Sequence, residues 1–303
     1  MKCGLFLFLT VFIFQLKASA QLNWQTFNVP GALSTWVDGI DGNVIVGSYS
    51  EEGTIKGFTY NRQTEQWNYL QAPNYEWTLP LAISGNTIVG TVGQNTSYIR
   101  NGFIFKNTTA WSFLSSPDHG EELEALGIDG NNIVGETAGG LGFIYNDGND
   151  TWSYFNTPDG KSASFDGISG STIVGTYFNV SDPQSIRRGF VKNGESWTLL
   201  DVENAVETLP RDVDGNHVIG QFRESLSGPT RSFFYDGSSL IYLDAPGADS
   251  TYAWGVDGNT IVGSYNDSTG VSQGFILTVP EPSALSLLAV GLGVLFRRSR
   301  KRD

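Results

Sequence analysis

The apolar positions of this chain fall in short runs that recur. Asp41-Gly42-Asn43-Val44-Ile45-Val46-Gly47 returns as Ser84 to Gly90, Asp129 to Gly135, Ser169 to Gly175, Asp214 to Gly220 and Asp257 to Gly263. The closing glycines are 43, 45, 40, 45 and 43 residues apart, which is the length of one four-stranded propeller blade. Each repeat predicts four strands. The first ends at the Asp-Gly or Ser-Gly pair, which supplies the positive φ of a tight hairpin. The second is the Ile-Val-Gly run, whose β-branched, nearly continuous apolar character suits a strand buried on both faces. The third is Gly-Phe or Ser-Phe, at Phe58, Phe103, Phe143, Phe190, Phe233 and Phe275. The fourth opens on Trp67, Trp111, Trp152 or Trp197, with Leu240 in place of tryptophan in a further copy.

The two ends of the array decide between an open stack and a ring. After Phe275 no fourth strand follows, yet a lone copy, Trp24-Gln25-Thr26-Phe27-Asn28-Val29, stands before the first repeat. An open solenoid would leave both ends with unpaired edges. The expected fold is therefore an all-β, six-bladed β-propeller of four-stranded antiparallel blades, closed by an N-terminal strand that completes the last blade. The recurring Phe and Trp are expected in the core, because each blade interface needs a large side chain at an equivalent place.

Outside the repeats, Lys2, the apolar run Leu5 to Phe14 and Ala18-Ser19-Ala20 have the parts of a secretory signal peptide. Three segments follow: a signal over residues 1–20, a propeller over 21–279 and a tail over 280–303. The only cysteine, Cys3, lies in the first of these, so no disulfide is expected in the exported protein. Charge separates along the same lines. Between Gln21 and Pro280 there are 11 basic residues against 29 acidic ones, a formal charge of −18. A body this acidic repels nucleic acid and anionic lipid. The tail runs Pro280-Glu281-Pro282, an apolar stretch from Ser283 to Phe296, then Arg297-Arg298-Ser299-Arg300-Lys301-Arg302. Its apolar stretch is too short for an untilted crossing, and the arginines mark a cytoplasmic end.

Two resemblances rest on these residues. Pro246-Gly247-Ala248-Asp249, Trp254-Gly255-Val256-Asp257, Ile261-Val262-Gly263 and Gly274-Phe275-Ile276 resemble the phrases of the HAF family of bacterial extracellular repeats, though no His-Ala-Phe occurs. That family implies an extracellular β-repeat protein and no established activity. The tail resembles the PEP-CTERM sorting signal. It implies transient membrane anchoring through the tail and cleavage by an exosortase-type transpeptidase in a Gram-negative bacterium, often one that makes exopolysaccharide. Together with the signal peptide, the expected location after Sec-type export is the cell surface or matrix, with extracellular polysaccharide as an expected partner.

Candidate chemistry is sparse. There are two histidines. His217 stands in a second strand where three other copies have Thr, and reads as a tolerated substitution. His119 lies in Asp118-His119-Gly120-Glu121-Glu122-Leu123-Glu124, in a loop between blades. Such loops border the channel mouth of a propeller, where ligands bind. With Asp159, Glu203, Glu207 and Asp249 from equivalent loops, His119, Glu121, Glu122 and Glu124 form the expected ligand face. Carboxylate oxygens there would favour calcium over zinc. No other cofactor is suggested. Asp212-Val213-Asp214-Gly215 reads as a hairpin turn. No serine-nucleophile motif is present, so the expected function is a non-enzymatic binding or structural module. The alternative is a carbohydrate-active enzyme using Glu122, Glu124, Asp159 and Glu207.

Overall fold

The computed structural model describes residues 22–95, 100–157, 160–178 and 186–280. Its compact unit, Asn23–Thr278, is a six-bladed β-propeller of four-stranded sheets. Blades 1 to 5 each take four consecutive strands, with innermost strands Ser34–Asp41, Trp77–Ser84, Leu123–Asp129, Ser162–Ser169 and Glu207–Asp214. Blade 6 has Ser250–Asp257, Thr260–Asn266 and Ser272–Thr278, and its outermost strand is Asn23–Thr26. All strand pairs are antiparallel, and the closing register runs from Asn23 opposite Thr278 to Thr26 opposite Phe275. The Trp24 ring meets the Phe275 ring edge-on at 4.9 Å. The Phe27 N–H donates to the Gly274 carbonyl at 2.8 Å.

The recurring aromatics divide the packing. Phe58, Phe103, Phe143, Phe190, Phe233 and Phe275 are each at most 1 % exposed. Trp67, Trp111, Trp152 and Trp197 lean on the third-strand aromatics from the outermost strand, with centroid distances of 4.4–5.3 Å to their nearest rings. Each of these phenylalanines lies over the glycine that closes Ile-Val-Gly or Val-Ile-Gly. A Cβ on Gly47, Gly90, Gly135, Gly175, Gly220 or Gly263 would stand 1.8–2.4 Å from a carbonyl oxygen of the innermost strand. The repeated glycine therefore serves close packing.

Each innermost strand carries a β-bulge at the same place. The register slips between Val37 and Gly39, Pro80 and Ala82, Ala125 and Gly127, Phe165 and Gly167, Pro210 and Asp212, and Ala253 and Gly255. The extra residues are Asp38, Leu81, Leu126, Asp166, Arg211 and Trp254, one per blade. All six line a single cavity on the ring axis. A bulge re-aims a side chain, and here it does so six times toward one line.

The hairpin phrase has a second role besides its turn. The Gly85 N–H donates to Asp41, Gly130 to Ser84, Gly170 to Asp129, Gly215 to Ser169, Gly258 to Asp214 and Gly42 to Asp257, at 2.5–3.1 Å. Every bond links one blade to the next, and the sixth returns to the first. The phrase works with either Asp or Ser at its head because both offer an acceptor oxygen. Asp129→Ala should destabilise the protein by about 1–2 kcal/mol through loss of this acceptor. Asp129→Ser, the residue that blades 2 and 4 use, should cost less than half as much in urea denaturation. Equal costs for the two variants would remove the interblade role.

Candidate functional site

The channel is lined from the bulges downward to the hairpin heads, and encloses about 130 Å³. Its bulge layer is unequal around the ring. Blades 2 and 3 contribute Leu81 and Leu126. Blades 4, 5, 6 and 1 contribute Asp166, Arg211, Trp254 and Asp38. Arg211 Nη1 donates to Asp166 Oδ1 at 3.0 Å, and its guanidinium lies over the Trp254 ring at 4.9 Å. Asp212 follows the bulge in blade 5, where four other blades have glycine. Those glycines sit so near the adjacent blade that a Cβ on Gly39, Gly127, Gly167 or Gly255 would approach its backbone to 2.7–2.9 Å. Asp212 uses the same proximity differently. Its carboxylate accepts from the Val213 N–H at 2.8 Å and from the Val256 N–H of blade 6 at 2.9 Å. Its reading as a plain turn residue is corrected: Asp214 heads the hairpin, while Asp212 lines the channel.

Burial raises all three channel carboxyls of this layer. Asp38 is pushed up to about 8 by burial. Asp212 is pushed up to about 7 by burial, against the pull of its two backbone donors. Asp166 is also raised by burial, with Arg211 opposing. Asp38 Oδ2 and Asp166 Oδ2 are shut off from solvent and have no hydrogen-bond partner.

A groove of about 320 Å³ lies across blades 2, 3 and 4, lined by Arg100, Glu122, Glu124, Glu136, Phe178 and Arg187 among others. Glu124 is directly opposite Glu136 in the ladder. Arg100 Nη1 spans both Glu124 oxygens at 2.9 and 3.0 Å. Glu136 is pushed up to about 7, first by burial and then by the charges of Asp166 and Glu124, with Arg187 opposing.

The sequence-derived ligand face is thus only partly assembled. Glu122 and Glu124 meet in the groove. Glu121 and Asp249 are exposed and line neither the groove nor the channel. His119 sits edge-on to Tyr154 of the outermost strand of blade 3 at 4.6 Å, away from the axis. Glu207 is nearly buried, accepting from the Arg187 N–H at 3.4 Å and facing Arg223 at 3.7 Å. Asp159 lies outside the described residues, as do Glu281, Pro282, Arg297 and Arg298; Pro280 is the last described residue. His217 has a local role, its Nδ1 2.8 Å from the Gly258 carbonyl of the next blade. Among the described residues no group of three or more His, Cys, Asp or Glu is placed to hold a metal ion. Asp38, Asp166, Arg211, Trp254 and Glu136 were missed as site residues. A signal for Glu136 existed: it follows the Ile-Val-Gly glycine, where the other copies have Ser48, Thr91, Thr176, Gln221 and Ser264.

Residues 278–301 match the PEP-CTERM protein-sorting motif. The motif implies processing by an exosortase-type system and export to the cell surface or beyond. No curated protein matches the chain. Among solved structures, the β-propeller domain of the Trilobed protease from Pyrococcus furiosus, described as having an open velcro topology, is similar with a TM-score of 0.50 at 10 % identity, covering 80 % of this chain and 95 % of that one. An inactive virginiamycin B lyase from Staphylococcus aureus, solved with quinupristin, has a TM-score of 0.51 at 11 % identity over 86 % of this chain and 100 % of that one. A putative TolB from Agrobacterium tumefaciens has 0.51 at 11 % over 82 % and 91 %. These likenesses concern the fold alone. This chain is an exported β-propeller that carries a sorting motif. Among its described residues no helix is long and apolar enough to cross a membrane; the apolar stretch Ser283 to Phe296 lies outside them.

The raised carboxyls set a pH dependence. Unfolded Asp releases its proton near pH ~4. In the folded ring Asp38 holds its proton to about 8 and Asp212 to about 7. Above ~4 the folded state therefore binds more protons than the unfolded state, and stability falls as pH rises, until both groups have ionised. Asp38→Asn keeps the shape and removes the charge. Its melting temperature should exceed that of the wild type, by more at about pH 9 than at about pH 5. A lower melting temperature at both values would contradict the placement of Asp38.

Proposed function

We propose that the chain is a non-enzymatic binding module of the cell surface or extracellular matrix, delivered by exosortase-type sorting. The observation that carries this reading is the sorting motif at residues 278–301, which begins on the last residue of the closing strand pair. The resemblance of the repeats to the HAF family supports the same placement, and a Gram-negative host that makes extracellular polysaccharide is the setting in which such a tail operates. In this reading residues 1–20 are removed on export, residues 21–279 form the functional body and the tail is cut near Pro280–Pro282. Mass spectrometry of the surface-exposed protein should find no peptide beyond that region. Recovery of Arg297–Asp303 on the mature protein would overturn the sorting claim.

One observation favours a second reading. Glu136, pushed up to about 7, stands opposite Glu124 in a groove. A carboxyl group near neutrality donates a proton at physiological pH, and a second carboxylate beside it can stabilise or attack the developing sugar cation. In glycoside hydrolysis Glu136 would be the acid and Glu124 its partner. If the groove is catalytic, Glu136→Gln and Glu124→Gln should each lower release of reducing ends from host matrix polysaccharide by about 100-fold or more. Wild-type preparations with no turnover, or variants as active as the wild type, return the groove to the binding reading.

A further inference from the structure

The channel has hydrogen-bonding capacity that the protein does not use. Asp166 is only 8 % exposed, and its Oδ2 reaches no donor. Asp38, on the blade opposite across the six-membered ring, has an equally unpartnered Oδ2. Both residues line the cavity, together with Leu81, Leu126, Arg211 and Trp254. Arg211 does not satisfy them. Its guanidinium is held by Asp166 Oδ1 at 3.0 Å and Gln221 Oε1 at 3.4 Å, and it is stacked on Trp254. Below this layer the cavity is more acidic still. Its whole lining counts seven aspartates against one arginine, with one oxygen each of Asp41, Asp129, Asp214 and Asp257 engaged by glycine N–H groups.

These features define an occupant. It must donate hydrogen bonds, since the unmade partners are acceptors. It must be cationic or neutral, since an anion would enter a field of like charge. It must be slender: about 130 Å³ is well under the ~300–1,000 Å³ of ordinary ligand pockets and excludes an oligosaccharide. A bare metal ion is disfavoured by geometry, because no three ligating side chains converge among the described residues. The Leu81, Leu126 and Trp254 side chains call for an apolar stem.

We propose that the channel binds a small linear aliphatic amine, its ammonium group donating to Asp38 and Asp166 and its methylenes lying against Leu81, Leu126 and Trp254. An ammonium is a compact charge with three donors, which matches acceptors on opposing blades. Burial pushes Asp38 up to about 8, and a cation beside it would draw it back down. The assignment deepens the binding-module reading and rests on it for the claim that the ring holds a ligand. It does not depend on sorting.

The test is calorimetric titration of the purified protein with 1,4-diaminobutane, with 1,4-butanediol as the neutral counterpart and calcium chloride as a competitor. One saturable site is expected for the diamine and none for the diol. Asp38→Asn should weaken diamine binding at least tenfold, and Leu126→Phe, which narrows the passage, should weaken it comparably. Glu51→Gln, on the second strand of blade 1 and outside the channel lining, should leave it unchanged. If Asp38→Asn does not fold, Leu126→Phe carries the comparison. No saturable binding to the wild type, equal binding of the diol, displacement by equimolar calcium, or undiminished affinity in the channel variants would each overturn the proposal. Loss of the tail from the mature protein with no amine binding would fail this assignment alone. Amine binding with an intact tail would fail the sorting claim alone.

Discussion

Six hydrogen bonds from glycine N–H groups to aspartate or serine oxygens run in a closed circle around one end of the channel. They matter because the innermost strands are where six sheets crowd together. Each sheet is twisted, so neighbouring blades can approach closely over only a short length of strand. The clasp sets that distance at the hairpins. The residue after the bulge, glycine in four blades, sets it two residues earlier. The phenylalanine against the Ile-Val-Gly glycine then fills the space that opens away from the axis. Among the described residues no other set of hydrogen bonds joins all six inner hairpins in one circuit.

That arrangement leaves one position per blade without a structural task. The bulged residue pairs with nothing in its ladder and lines the central cavity. Its side chain is free to differ from blade to blade, and it does: Asp38, Leu81, Leu126, Asp166, Arg211 and Trp254 stand just before a position that is glycine in four blades. A rigid frame with a variable inner ring is a good holder of a polar site, because the frame fixes the geometry and absorbs the strain. The cost is visible in the carboxyls. Burial raises Asp38, Asp166 and Asp212 together, and only Asp166 has a cation to oppose it.

The period, the strand count and the closing role of Trp24 were legible in the amino-acid order because they depend on local signals: turn residues, β-branched runs and an unpaired copy at one end. The bulge was not. It exists only as a mismatch of two residues against one across a ladder, and Asp38-Gly39 looks like any other Asp-Gly pair. For that reason the clustered acids around His119 drew attention, although loop acids are solvated without difficulty. His119 itself went to an aromatic neighbour, Tyr154, on the outer strand. Glu122 and Glu124 reached the groove because they precede and enter an innermost strand, while Glu136 entered it by lying across from Glu124. Columns compared between copies carry this information better than residues grouped along the chain. A charge in a column of Ser, Thr and Gln stands out, whereas four acids in one loop do not.

Closure adds a constraint that acts on the ring as a whole. The outermost strand of blade 6 is only Asn23–Thr26, and its partner is Ser272–Thr278 at the far end of the compact unit. A contact of such sequence separation carries a large loop-closure cost unless the intervening blades hold its halves together. Four residues of ladder supply little on their own, so side chains reinforce them. Trp24 packs on Phe275, Thr26 shares a hydrogen bond with Tyr265, and the Asn28 carbonyl oxygen of the side chain accepts from the Gly274 N–H. On the adjoining interface, Phe27 packs between the rings of Tyr60 and Trp67 of blade 1. The segment that closes blade 6 is thus also seated in the first blade. Loosening it would expose two interfaces, and the clasp between Asp257 and Gly42 spans the same junction at the axis. The junction is held at its rim and at its centre, which lets the ring close through a strand of four residues.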